Sequence, residues 1–591
     1  MKYYRSTNKH GSKDAVTALL SQLQPHRRWQ LSLIVLLMIV GGLAEIVSLG
    51  LIVPFLAFLI DPLEALQIEL VATVSSIFGP ADPNSLRLWF TLLFVAAAVV
   101  SGAMRFLVVW VNTRVTFSIC HEMGVDVYRR VIYQPYTVHV SRNSSEVLGV
   151  LGKVEAVAHI IIGLLNGISG LLISISIIAT LFIVNPSFTA LTLVALGGAY
   201  AVVMIFVKKR LEKDSLIISE TVNDRFKVTQ EALGSIRDIL LSHGQEYFAR
   251  LHKKMDWAYT RATGNQQIIG PSPKFIVEAL GVLIIAIFAY SAVMSTGGFN
   301  TIIPTLGAMA LGAQRMLPNL HLIYLGIANL KGREQLVYDV VELLEQPSNE
   351  QQLEDLDPLI FAKQIDLENV SFRYQEDSPT ILEELNFSIT KGQKIGFSGP
   401  TGSGKSTAID LLMGLLTPSA GQISVDGKPL TEKTRLQWQK NIAHVPQDLY
   451  LTDSSFAENI AFCKMPDDID LQRVEEAAKI AHIHDFITDK PKGYQSLLGE
   501  RGIQLSGGQR QRVGIARAMY RKASVIVLDE ATSALDTEME AAVMSSIENI
   551  DRNVTIIMIA HRISTLKNCD FVYQLEHGRI INTNQMRAAE I

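Results

Sequence analysis

The run Gly399-Pro400-Thr401-Gly402-Ser403-Gly404-Lys405-Ser406-Thr407 follows the pattern G-x-x-x-x-G-K-S/T, with a strand-like stretch at 394–398 before it and a helix-like stretch at 408–416 after it. Glycines at these positions let backbone N–H groups come close to phosphates, and the helix that follows points its positive dipole end at them. Lys405 is placed to contact β- and γ-phosphates, and Ser406 to coordinate Mg²⁺. Farther on, Val525-Ile526-Val527-Leu528-Asp529-Glu530 is an unbroken apolar run ending in two carboxylates, the pattern of a buried parallel strand. Asp529 suits the Mg²⁺ sphere, and Glu530 suits polarising an attacking water. His561 follows another apolar run, 555–560, and its place in this order puts it at the γ-phosphate, holding Glu530 and the water in line. A lone histidine is more often structural, so only that order argues for the role. Together these residues specify hydrolysis of a nucleoside triphosphate with Mg²⁺.

The elements that must carry this chemistry are only part of the chain. Of 591 residues 48% are hydrophobic and 19% charged, and mean hydropathy is +0.25. A soluble two-domain enzyme is rarely that apolar. The excess lies before the motifs, where six charge-poor runs reach the roughly 20 residues that cross a bilayer core: 29–60, 88–111, 159–184, 188–207, 275–294 and 301–325. The first is too long, and lacks the small-residue cleavage site, of a cleavable signal peptide. His26-Arg27-Arg28, Arg129-Arg130, Lys208-Lys209-Arg210 and Lys331-Gly332-Arg333 all fall on one side, which is therefore cytoplasmic. The opposite side receives the net acidic stretch 61–87 and the turns Asn185-Pro186-Ser187 and Gly297-Gly298-Phe299-Asn300. An even number of crossings returns the catalytic part to the cytoplasm. A net charge of −4 shows no basic field for nucleic acid, and Cys120, Cys463 and Cys569 lack metal-ligand spacing and fall on the reducing side.

Two cytoplasmic connections, 114–158 and 208–273, are far longer than ordinary helix connections and carry helix-period apolar residues. They are expected to extend the membrane helices inward, with breaks at Gln134-Pro135-Tyr136 and at Gly234 or Gly244 setting short transverse helices against the catalytic domain. A Gln/Pro/Asn/Glu-rich stretch at 345–358 reads as the interdomain linker.

In order and type, these motifs resemble the nucleotide-binding domain of ABC transporters, a likeness covering about 365–578. The resemblance implies that Tyr374 stacks on adenine, and that Gln447 senses Mg²⁺ and the γ-phosphate and touches the membrane domain. It also implies that Ser506, Gly507, Gly508 and Gln509, in the signature Leu505-Ser506-Gly507-Gly508-Gln509, cap the γ-phosphate held by an opposite copy. Ser533-Ala534-Leu535-Asp536 matches the D-loop across such a dimer, and Gly499-Glu500-Arg501-Gly502 the segment that meets the coupling helices of exporters. ATP and Mg²⁺ are the implied cofactors, and a homodimer with two equal hydrolytic sites the implied assembly, since Glu530 is retained. Chromosome-organising, DNA-repair and translation ATPases share the signature but not the spans, and importers generally separate the two parts onto different chains. The expected fold is multi-domain: a cytoplasmic segment 1–28, an all-α six-helix transmembrane domain 29–344 of the type I ABC exporter kind, a linker 345–360, and an α/β P-loop ABC ATPase domain 361–591.

Charges inside spans are expensive and face a cavity or a partner. Glu45 stands in the first span, Arg105 in the second, Lys274 and Glu278 open the fifth, and Arg315 lies in the sixth. Lys274 and Glu278 read as a helix-neighbour ion pair. Glu45 either pairs with a helix-embedded arginine or faces a ligand; Arg105 and Arg315 suit an anionic headgroup, although Arg105 is as well placed to snorkel. Leu63, Leu66, Leu70, Val74 and Ile77 form a short amphipathic stripe that either docks on neighbouring helices or holds a lipid tail. The run 44–55, that stripe, Arg105 and Arg315-Met316-Leu317-Pro318 resemble the PglK family, bacterial flippases of lipid-linked oligosaccharides. That likeness implies a polyprenyl tail at the external stripe, a pyrophosphate-linked glycan at Arg105 and Arg315, and a place in the bacterial inner membrane. The same architecture also serves lipid-A-type and multidrug exporters.

Overall fold

The computed structural model describes residues 12–60, 83–184, 186–295, 299–346, 356–375, 377–531, 537–548, 553–559, 566 and 569–585. The chain divides into two compact units, one within Met1–Gln134 and Arg142–Ser348, the other within Pro135–Ser141 and Asn349–Ile591.

The first unit is helical. Its elements are α1 (Ser12–Gln22), α2 (Pro25–Gly50), α3 (Ile52–Ile60), α4 (Pro83–Ile132), then, after the short α5 (Tyr136–Ser141) of the second unit, α6 (Ser144–Val184), α7 (Pro186–Gly234), α8 (Ile236–Leu241), α9 (Gln245–Ile269), α10 (Ser272–Ser295) and α11 (Phe299–Glu345). Among the described residues five helical stretches are long and apolar enough to cross a membrane: Pro25–Leu56, Arg87–Ile132, Ser144–Ile183, Pro186–Gly234 and Gln245–Ile287. The remaining expected span, 301–325, falls on α11. The first of these stretches, which covers most of the expected span 29–60, carries one local interruption. It breaks at Leu51, because Pro54 has no N–H to give the carbonyl of Gly50 and its ring clashes there. α7, with 49 residues, is about 74 Å long, more than twice a hydrocarbon core of about 30 Å. The long connections do extend the helices, and α5 and α8 form where Pro135 and the Gly234/Gly244 pair interrupt them.

Val194, Ile205 and Phe206 on α7 are 73%, 73% and 80% exposed. Outward apolar side chains on this scale suit acyl chains rather than water. Inside, Met38, Val108, Ile119, Val157, Ile161 and Val340 pack into one buried cluster, and Ile177, Leu196 and Met316 belong to a second. α6 and α11 approach closely because both carry glycine at the seam: a Cβ on Gly326 would stand 2.6 Å from the Gly163 carbonyl oxygen, and one on Gly170 2.6 Å from that of Asn319.

The second unit holds two sheets. β1 (Gln364–Phe372), β2 (Leu382–Thr390), β4 (Ala420–Val425) and β5 (Lys428–Pro429) form an antiparallel sheet in the order β2-β1-β4-β5. β3 (Lys394–Ser398), β6 (Ile442–Val445), β7 (Val525–Asp529), β8 (Thr555–Ile559), β9 (Phe571–Glu576) and β10 (Arg579–Gln585) form a sheet in the order β10-β9-β3-β8-β7-β6. All its pairings are parallel except β10 with β9. Ligands of such sheets gather beyond the carboxyl ends of the strands. Ser398, Val445 and Asp529 end β3, β6 and β7 on that edge.

Candidate functional site

The phosphate loop joins β3 to α12 (Lys405–Leu412). Three of its glycines take backbone conformations that side chains rarely adopt: Gly399 at φ +141, Gly402 at +82 and Gly404 at +100. A Cβ on Gly399 would lie 2.1 Å from the Leu575 carbonyl oxygen, so only glycine fits. Inside this turn Lys405 is buried and its Nζ donates to the carbonyl oxygens of Gly399 and Pro400, both at 2.9 Å. Burial pushes its ammonium below the usual lysine range, while the charges of Glu530 and Asp529 pull it back up. Ser403 Oγ is buried with no hydrogen-bond partner. Pro400, Thr401, Ser406 and Thr407 complete the loop, with Thr401 and Ser406 exposed and Thr407 buried.

Asp529 ends β7, and burial first, then the Glu530 charge, raise its carboxyl above the usual range, with Lys405 opposing. Glu530 follows in the left-handed region at φ +49, its N–H bonded to the Ile559 carbonyl oxygen at 3.0 Å. Its Oε2 accepts from Gln447 Nε2 at 2.8 Å. The loops after β3, β6 and β7 thus bring Lys405, Gln447, Asp529 and Glu530 to one edge. An orphaned buried hydroxyl, a lysine folded onto its own loop and two adjacent half-buried carboxylates, one of them held above its usual range, are the features that a triphosphate with a divalent cation would satisfy.

Tyr374 lies beyond β1, 42% exposed and edge-on to Phe372 at 5.0 Å between centroids. Ser506 caps α13 (Gly507–Arg521): its Oγ accepts from Gln509 N at 3.2 Å, and Gln509 Oε1 accepts from Ser506 N at 2.9 Å. The Gln509 side chain is therefore committed to a capping box, and it is the helix start at Gly507 and Gly508 that presents unpaired N–H groups. His561, the D-loop residues 533–536 and the external stripe 63–77 lie outside the described residues. Sequence reasoning passed over Asp410 on α12, whose carboxyl is pushed up to about 6 by burial and by the charge of Asp529; its place one helical turn after Ser406 was the available signal.

The intramembrane charges converge. Glu45 is fully buried, and its Oε2 accepts from Arg105 Nη2 and from Ser101 Oγ, the latter at 2.5 Å. Its Oε1 accepts from Arg315 Nη1 at 2.8 Å, which also reaches Ser48 Oγ at 3.4 Å. The expected pairing of Glu45 with a helix-embedded arginine holds for both arginines, and both also line a cavity of about 450 Å³ with Asn166, Gln314 and Asn319. Two guanidinium groups against one carboxylate leave one positive charge in excess. Glu45 holds the arginines from behind, with no surface of its own. Ser101 and Ser48 escaped notice, although Ser101/Arg105 and Glu45/Ser48 share helix faces at spacings of four and three. Lys274 and Glu278 form the expected pair, 3.7 Å apart, on α10.

A helical membrane unit followed by this sheet, with the phosphate loop, acidic strand end and capped signature helix in one unit, defines an ABC transporter. The ABC transporter family pattern matches residues 382–533 and the ABC transporter transmembrane region matches 31–302. The chain is a fused ABC membrane domain and ATPase domain of the exporter type. It is similar to the ATP-dependent lipid A-core flippases of Cupriavidus metallidurans (28% identity, 84% of each chain), Alkalilimnicola ehrlichii (28%, 87% of each) and Burkholderia orbicola (27%, 97% of this chain and 93% of that one). Its fold is that of a bacterial Atm1-family ABC exporter with ATP bound, at a TM-score of 0.77 and 23% identity over 95% of this chain and 96% of the other.

Proposed function

We propose that this chain is one half of a homodimeric, ATP-driven flippase for an anionic, phosphate-bearing glycolipid of the lipid A type in a bacterial inner membrane. The observation that carries the reading is the Glu45–Arg105–Arg315 cluster. An excess positive charge at an apolar-walled cavity, flanked by Asn166, Gln314 and Asn319, suits a phosphate beside sugar hydroxyls. The named activity of the flippase relatives agrees with it. A lipid-linked oligosaccharide remains a second reading, favoured by the run 44–55 and Arg315-Met316-Leu317-Pro318; it too presents phosphate to the arginines.

In the proposed cycle, Lys405 exchanges the Gly399 and Pro400 carbonyl oxygens for β- and γ-phosphate oxygens, and Ser403 gains a partner. Ser406, Gln447 and Asp529 would hold Mg²⁺, which neutralises charge on the phosphates when bound. Tyr374 stacks on the base, Glu530 orients water, and His561 contacts the γ-phosphate. The α13 start at Ser506, Gly507 and Gly508 closes on the opposite copy's nucleotide. Binding shifts the dimer towards a closed state, and hydrolysis resets it. ATPase activity in neutral-lipid nanodiscs tests the substrate: stimulation by a phosphorylated glycolipid, lost in Arg105→Ala plus Arg315→Ala, is expected. Stimulation only by uncharged hydrophobic compounds, indifferent to those changes, would make it a multidrug pump.

A further inference from the structure

The seam between α6 and α11 is closed at Gly163, Gly167 and Gly326 and opens on either side. Towards one end lies the Arg315 cavity. Towards the other, a second cavity of about 520 Å³ is walled by α6, α7, α9 and α11 and includes Arg225, Thr263 and Arg333. Arg315 and Arg333 are eighteen residues apart on α11, which is five helical turns, so they lie on one face at about 27 Å separation. By the charge bias of the flanking segments, Arg333 and its cavity lie on the cytoplasmic side, among the inward extensions of the membrane helices.

The walls of this second cavity offer donors without acceptors. Arg225 Nε and Thr263 Oγ1 are both buried with no hydrogen-bond partner. Arg225 is oriented by stacking 4.3 Å over the Tyr259 ring and by an ion pair with Asp256 at 3.1 Å, which leaves its Nε free. Arg333 reaches only Asn329 Oδ1, at 3.4 Å, and among the described residues no carboxylate lies within ion-pair distance of it. Lys153 is spent on Asp339 at 2.6 Å. Glu155 also lines the cavity, but its side chain is 80% exposed and lies 4.0 Å from His159. Unpaired buried donors, and a guanidinium held only by a long bond to a neutral amide oxygen and by the more distant charge of the exposed Glu155, are each costly unless an acceptor arrives.

We infer that the Arg225–Thr263–Arg333 cavity is a second anion site, binding a phosphate group on the cytoplasmic side of the Arg105–Arg315 cavity. Its phosphate comes from an inner-leaflet lipid headgroup or from a soluble phosphoanion. As a lipid station it rests on the anionic-lipid reading above; as an anion site it does not.

The test uses the full-length dimer in phosphatidylcholine nanodiscs, with a non-hydrolysable ATP analogue saturating the phosphate loops. Carrying Arg315→Gln to silence the first cavity, the protein is titrated calorimetrically with inorganic pyrophosphate. Binding that weakens at least tenfold on adding Arg333→Gln, and several-fold on adding Thr263→Val, with basal ATPase unchanged in both, is the expected result. Absence of pyrophosphate binding in the Arg315→Gln protein, or binding indifferent to both additions, overturns the site. Repeating the titration in nanodiscs containing phosphatidic acid separates the sources: competition supports a headgroup, and no competition supports a soluble phosphoanion. If no glycolipid stimulates the ATPase but pyrophosphate binding still depends on Arg333, the anion site stands and the glycolipid reading fails.

Discussion

Gln447 Nε2 donates to Glu530 Oε2 at 2.8 Å, tying the loop after β6 to the loop after β7. Glu530 sits in a left-handed backbone conformation at φ +49, which for a residue with a Cβ is strained by about 1 kcal/mol or more. This bond helps to fix the direction of a carboxylate whose backbone is already set. Glu530→Gln keeps the size but loses the basic oxygen. Steady-state ATPase is expected to fall at least about a hundredfold while ATP still binds. Turnover near wild type, measured by phosphate release, would remove Glu530 from the chemistry. Gln447→Ala removes this bond and should lower kcat more than it weakens ATP binding.

Lys405 is bonded to its own loop at Gly399 and Pro400. A nucleotide therefore has to exchange two bonds to neutral carbonyl oxygens for bonds to anionic phosphate oxygens, in which donor and acceptor both carry charge. Lys405→Ala should weaken ATP binding by about tenfold to a hundredfold, on the order of 1–3 kcal/mol for a bond to a charged group. Fluorescent-nucleotide titration of the full-length protein reads this directly, and an unchanged affinity would refute it.

Glu45 accepts from three side chains on two other helices, Ser101 and Arg105 on α4 and Arg315 on α11. Removing it strands two guanidinium groups that border a cavity, which costs stability although less than for fully buried charges. Removing Arg315 alone leaves Glu45 paired with Arg105 and Ser101. Glu45→Ala is therefore expected to lower thermal stability more than Arg315→Ala. The double variant should be less destabilised than the two losses added together. Additive losses in detergent-solubilised melts would show that the three groups are not a unit.

The nucleotide edge was legible because its chemistry is local. The phosphate loop, the apolar β7 run and Asp529-Glu530 are each contiguous, and strand-loop-helix context places them without knowledge of distant contacts. The charged cluster was legible only as a set of expensive residues: Glu45, Arg105 and Arg315 stand on three helices, and nothing in one helix's pattern states which face meets another. Their simultaneous pairing and cavity exposure therefore had to be read from the fold. The break at Leu51 was missed because hydropathy ignores Pro54, although the missing donor is a purely local fact. Gln509 illustrates the reverse case, a signature residue whose side chain the S-x-x-Q spacing already assigns to capping.

Asp410 supplies a pH prediction. Burial, then repulsion from Asp529, push its carboxyl up to about 6. For a raised carboxyl, the contribution to stability is fully present below the unfolded value near 4 and is lost as pH rises through about 6. Above that, the folded domain carries a charge it disfavours. Asp410→Asn should thus stabilise the protein at pH 8 by on the order of 1–2 kcal/mol and change little at pH 4.5. Melting curves at the two values without Mg²⁺ check it, and equal shifts at both would contradict the burial argument.

The α6–α11 seam is the remaining prediction. Gly326 faces Gly163 so closely that a Cβ would stand 2.6 Å from a backbone oxygen, and Gly167 Cα lies 3.5 Å from the same point. Backbone atoms cannot swing aside as a side-chain end does, so a valine there must separate the helices. Overpacking of this kind costs about 1–3 kcal/mol. The larger effect falls on function, because the seam divides the two cavities along α11. Gly326→Val is expected to lower the melting temperature and to uncouple glycolipid stimulation from basal ATPase. Gly264→Val, at a position where a Cβ meets nothing within 4 Å, should do neither. Equal behaviour of the two variants in nanodiscs would mean that close approach at Gly326 is incidental.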